Sequence, residues 1–97
     1  MLYHVVWLRA RGETSAAEME RLLTAIRALA ERIPGVVAIH AGDNITDRAQ
    51  GYSYGVIVTL EGEEALADYL AHPEHVAVGA RLRQHCDVLA LDFLDPT

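Results

Sequence analysis

Tyr69-Leu70-Ala71-His72-Pro73-Glu74-His75 is the stretch whose reading decides the fold. Gly62 to Ala71, upstream, reads as a short helix. His72 precedes a proline, and a pre-proline residue avoids the helical region. Pro73 suits the first position of a helix. A second short helix therefore starts at Pro73 and runs to about His85. The second half of the chain thus holds one broken helix between two strand patterns.

The other elements follow outward from that break. Leu2 to Leu8 is rich in Val and aromatics, carries no charge and reads as a strand. Alternation puts Leu2, His4, Val6 and Leu8 on one face, with Tyr3, Val5 and Trp7 on the other. Both faces are largely apolar, so both are expected to be covered. Ser15-Ala16-Ala17-Glu18 is a capping box that opens a helix. Met19, Leu22, Leu23, Ile26, Leu29, Ala30 and Ile33 recur at helical spacing until Pro34-Gly35 ends it. Val36 to His40 is a second strand, Ala41 to Gly51 a polar loop, Tyr52 to Leu60 a third strand and Val88 to Leu94 the last. The order is β-α-β-β-α-β. It predicts an α+β, ferredoxin-like split βαβ unit with a four-stranded antiparallel sheet. Its helices cover one sheet face only. The apolar face with Tyr3, Val5, Trp7 and Ile57 then calls for a second copy packed across a two-fold axis.

Size and charge narrow the function. The chain has 97 residues, 52% of them hydrophobic and 23% charged, which suits one domain over 1–97. The formal charge is −6 with no basic stripe, against a nucleic-acid partner and against anionic membrane surfaces. There is no apolar run near 20 residues and no signal-peptide pattern. Cys86 is the single cysteine, so no internal disulfide forms and it reads as a small buried hydrophobe. A cytoplasmic setting is expected.

The same stretch that breaks the helix carries the chemistry. On a straight helix, six residues would turn Tyr69 and His75 about 240° apart. The break at Pro73 lets both face one pocket. His75 is then placed to act as a general base, and Tyr69 to donate its O–H to a carbonyl or enolate oxygen. His4 lies on a strand face with Val6 and Leu8, where a histidine is ordinarily structural. Two histidines lining one pocket would each discourage the other's protonation. His72 reads as the cap of the last helix. His72 and His75 also form H-x-x-H, but two ligands do not make a zinc site, so no metal and no cofactor are expected. His40 and His85 are expected to face solvent, and Asp43, Asn44 and Asp47 to form turns.

Five marks stand out: His4 in an N-terminal strand, Ile33-Pro34-Gly35, Gly51-Tyr52, Tyr69-x-x-His72-Pro73-x-His75-Val76 and Asp92-Phe93. Together they resemble the Dabb family, the stress-responsive dimeric α/β-barrel domain. The resemblance covers essentially the whole chain. It implies a homodimeric barrel. Some plant members are linked to stress tolerance, and at least one is a polyketide cyclase that closes a ring by aldol chemistry between sheet and helices. The positions matching that activity are His4, Tyr69 and His75. Tyr54 stands where the cyclase has a further histidine, and Leu23 and Ile26 stand where it has pocket aromatics. With Val6, these are the expected ligand-lining residues. Three functions compete: a pocket enzyme or binder acting on a small carbonyl or polyketide-like molecule, a non-catalytic stress-response dimer or larger assembly, and an oxygenase of the wider barrel group.

Overall fold

Leu2, His4, Val6 and Leu8 alternate with Tyr3, Val5 and Trp7, and that alternation sorts the side chains onto two sides of a sheet. In the computed structural model, which describes residues 1–96, they lie on β1 (Leu2–Ala10), with the even-numbered side chains buried. β1 pairs antiparallel with β3 (Tyr54–Leu60) on one side and β4 (Cys86–Leu94) on the other. β2 (Val36–Asp43) pairs with the outer edge of β3, which gives the order β2-β3-β1-β4. The fold is the expected four-stranded antiparallel, ferredoxin-like one.

β2 continues three residues past His40, because Ala41, Gly42 and Asp43 find ladder partners in Val56, Gly55 and Tyr54. Cross-strand pairing here outweighs the turn-like composition of the segment. β3 starts two residues later than expected, since the Tyr52 N–H is turned toward the Ala49 carbonyl at 3.0 Å.

α1 (Ala16–Ala28) begins at Ser15, whose Oγ accepts from the Glu18 N–H at 3.0 Å. The expected box is only half formed. The Glu18 carboxylate instead meets Arg21 Nε at 3.0 Å and His85 Nε2 at 3.2 Å. His85 is therefore tied to the start of α1 rather than facing solvent. The α-helix stops at Ala28 and tightens into a 3-10 turn over Leu29–Glu31. Leu29 and Ile33 still reach the core. Gly35 then turns the chain at φ +87°, and a Cβ built there would lie 2.9 Å from that of Ala65. Only glycine suits both the left-handed backbone and that approach.

α2 (Glu63–Ala71) and α3 (Pro73–His85) complete a helix layer over the even face of β1. The core lies between this layer and the sheet, around Leu8, Met19, Leu22, Leu23, Val58 and Leu60. The opposite face stays bare in the protomer, with Trp7, Ile57, Leu89, Leu91 and Phe93 exposed. Among the described residues, no helix is long and apolar enough to cross a membrane.

Candidate active site

The helix break assembles the site. His72 takes an extended conformation (φ −64°, ψ 133°), and its Nδ1 accepts the Glu74 N–H at 3.1 Å. A side-chain acceptor at this position satisfies one of the free donors at the helix start. α2 thus ends one residue before the cap and α3 starts one residue after it. Tyr69, in the last turn of α2, and His75, in the first turn of α3, meet with ring centroids 4.5 Å apart.

His4 comes to the same place from β1, its ring edge-on to Tyr69 at 5.8 Å. The tyrosine therefore stands between two imidazoles. His4 Nδ1 lies 2.5 Å from Oδ1 of Asp92, its direct partner across the β1–β4 ladder. The carboxylate thus engages Nδ1 and fixes the orientation of the ring beside Tyr69. The sequence marks Asp92 only as part of the Asp92-Phe93 family signature, with no role in the site, and as a lone carboxylate on a strand face otherwise made of Val88, Ala90 and Leu94.

The electrostatics separate the two central groups. Tyr69 is only 2% exposed, and burial pushes its hydroxyl up to about 12, so it stays protonated. Among the described residues that hydroxyl has no hydrogen-bond partner, yet it is not sealed from solvent. Burial lowers the pKa of His75, a hydrogen bond to the Leu70 carbonyl opposes this, and nearby His4 and Arg83 lower it further. His75 Nδ1–H donates to that carbonyl at 3.3 Å, which leaves Nε2 free to take a proton.

The remaining expected residues fall outside this group. Val6 is the next position on the His4 face and is buried in the core. Leu23 and Ile26 lie on the inner face of α1, also in the core. Tyr54 pairs with Leu8, four residues along β3 from the partner of His4, or roughly 13 Å at about 3.3 Å per residue. Its hydroxyl pKa is raised by burial and by Asp43. It lines a separate hollow with Trp7 and Tyr52. Among the described residues, no three His, Cys, Asp or Glu side chains converge to hold a metal ion. A hollow of about 430 Å³ between α2 and β4 reaches Asp92, with Leu2, Leu66, Leu70 and Phe93 on its walls.

The sequence matches the family described as Stress responsive A/B Barrel Domain (Dabb) over residues 2–95. The chain belongs to this family. Among proteins it is similar to, olivetolic acid cyclase of Cannabis sativa is 29% identical over 90 residues, 91% of this chain and 89% of that one. Stress-response A/B barrel domain-containing protein HS1 of Arabidopsis thaliana is 30% identical over 93 residues, 93% of this chain and 85% of that one. A dimeric ferredoxin-like protein from Jannaschia sp. CCS1 superposes with a TM-score of 0.85 at 28% identity, covering 97% of this chain and 98% of that one. In this Dabb chain the histidine–tyrosine–histidine group sits between sheet and helices with a carboxylate behind it.

Proposed function

We propose that residues 1–97 act as one domain of a cytoplasmic homodimer whose site removes a proton next to a carbonyl in a small, largely apolar molecule. His75 Nε2 takes the proton. The Tyr69 O–H donates to the oxygen on which negative charge grows, and such a donor in a shielded site favours the enolate over the ketone. The His4–Asp92 pair holds the second imidazole in one orientation beside Tyr69. The enolate formed in this way is the nucleophile of an aldol-type ring closure; the Cannabis relative is named a cyclase, which fits a ring-closing reaction. The single observation that carries this reading is the 4.5 Å meeting of Tyr69 and His75, an acid kept protonated against a base kept neutral. The homodimer is supported by the bare apolar sheet face and by the dimeric neighbour from Jannaschia.

The test is deuterium uptake at the α-carbon of a β-diketone or polyketide-like triketide in D2O, followed by NMR. Wild type accelerates the exchange, and His75→Ala loses the acceleration. Equal exchange in the two proteins would remove His75 from the chemistry.

A second reading, a non-catalytic stress-response dimer, is favoured by the burial of His4 (6% exposed) and Tyr69 (2%). There the cluster packs the helix break. Tyr69→Phe and His75→Ala would then lower the melting temperature, and no carbonyl compound would raise it in wild type.

A further inference from the structure

Every basic side chain in this chain is an arginine, and there are 8 of them. Arg9 and Arg11 pair with Asp87, Arg21 with Glu18, Arg27 with Glu20 and Arg32 with Glu74. Among the described residues, Arg48, Arg81 and Arg83 have no carboxylate partner. Arg48 is exposed in the loop before β3, and Arg81 lines the groove between α1 and α3. Arg83 is the one that lies beside the site.

Its place follows from the helix. His75, Gly79 and Arg83 are four residues apart on α3, so they stack along one side. Long helical side chains lean toward the N-terminus, here toward Gly79 and His75. A Cβ built on Gly79 would lie 3.3 Å from Arg83 Nη1, its only neighbour within 4 Å outside the local backbone. Alanine would hold a helix interior better than glycine does. The room that Gly79 leaves is therefore used by the guanidinium alone. The cation sits about one turn from His75, roughly 6 Å at 1.5 Å per residue. Its charge reaches the imidazole: burial is the largest cause of the lowered His75 pKa, and Arg83 adds to it. The backbone of Arg83 is fixed in turn, since its carbonyl accepts from Arg11 Nη2 at 2.5 Å.

We infer that the carbonyl compound acted on carries a carboxylate, and that Arg83 binds this arm while His75 meets the carbon to be deprotonated. The inference rests on the function proposed above and names its substrate class. A planar guanidinium holds a carboxylate through two parallel N–H···O bonds, which fixes orientation as well as position. An unpaired cation beside the base, in a chain of charge −6, has an anion as its complement. The separation of one helical turn suits a carboxylate on a short carbon arm, as in 4,6-dioxoheptanoate, a β-diketone.

Deuterium exchange between the two ketones of that acid, and of its methyl ester, tests the assignment. The ester keeps the shape and loses the charge. After correction for uncatalysed exchange, wild type should prefer the acid in kcat/KM by about fivefold, the upper range for an exposed ion pair. The preference should lie in KM and fall to about one in Arg83→Gln. Gly79→Ala keeps the charge but displaces the guanidinium, and should lower the preference too. Circular dichroism checks that both variants are folded. No preference in a wild type that exchanges the ester, or a preference that Arg83→Gln retains, overturns the inference and leaves proton abstraction at His75 standing. If wild type accelerates neither compound, titrating the His75 ring protons with the acid decides. A shift that Arg83→Gln abolishes supports the carboxylate site and removes the proton abstraction, and the absence of any shift overturns both.

Discussion

The Tyr69 ring meets the His75 ring at 4.5 Å across a helix break that a single side chain caps. The two residues are six apart, so a continuous helix would hold them on different faces. Their meeting depends on His72, whose Nδ1 occupies the Glu74 N–H, and on Pro73, which fits the first helical position and no later one. His72→Ala should therefore cost about 1 kcal/mol of stability, the usual value of an N-cap side chain. It should also loosen the Tyr69–His75 contact. Chemical denaturation measures the first effect, and the chemical shift of the His75 ring protons reports the second.

Acid should destabilise the protein through His75. Its pKa is lowered in the folded state, so the unfolded chain binds more protons once the pH drops below the ordinary value near 6.5. Stability is then full above about pH 6.5 and falls as the pH drops toward the folded-state pKa. His75→Gln removes that titration and should flatten this part of the curve of unfolding free energy against pH. Tyr69 works in the opposite direction. Its folded-state pKa of about 12 means that stability falls as the pH rises from about 10, and Tyr69→Phe should remove that loss.

Asp92→Asn should impair any activity of the site more than it impairs stability. The carboxylate is more than a third exposed, so its pairing with His4 is partly screened and its worth to the fold is small. Its effect on His4 is orientational, since it anchors Nδ1 and so sets how the ring faces Tyr69. Replacing it by an amide removes the charge while keeping the shape. The exchange rate on a β-diketone should drop at least several-fold, with a melting temperature shift of a few degrees at most.

Leu23→Ala separates core from pocket. Leu23 has no exposed surface, and cutting a buried leucine to alanine costs about 2–5 kcal/mol. Denaturant titration should show that loss. Gly35→Ala is expected to be costly for a different reason, because an alanine there must adopt φ +87° and meet the Ala65 methyl at 2.9 Å.

The fold was legible because its signals were local. The Ser15 cap, the His72-Pro73 break and the period-two alternation from Leu2 each act within a few residues. The ends of β2 and β3 were less legible, since Ala41 to Asp43 become strand only through partners on β3. The Tyr69–His75 meeting followed from the proline alone. The link from His4 to Asp92 did not. It spans 88 positions and exists only once the β1–β4 register is set. The resemblance placed Tyr54 with the site residues, whereas the strand rise carries it to the other end of the sheet. The Ser15–Glu18 spacing predicts a reciprocal cap, but His85 from the end of α3 claims the Glu18 carboxylate.

NMR titration of His75 tests the central claim most directly. The claim is that this imidazole stands neutral beside a protonated Tyr69 and so serves as the base. The C2 proton of His75, assigned by its loss in His75→Gln, should titrate with a midpoint below 6.5, and the Tyr69 hydroxyl should remain un-ionised well past pH 10. A His75 midpoint at or above 6.5 would mean that burial and His4 do not hold the ring neutral, and it would contradict the account.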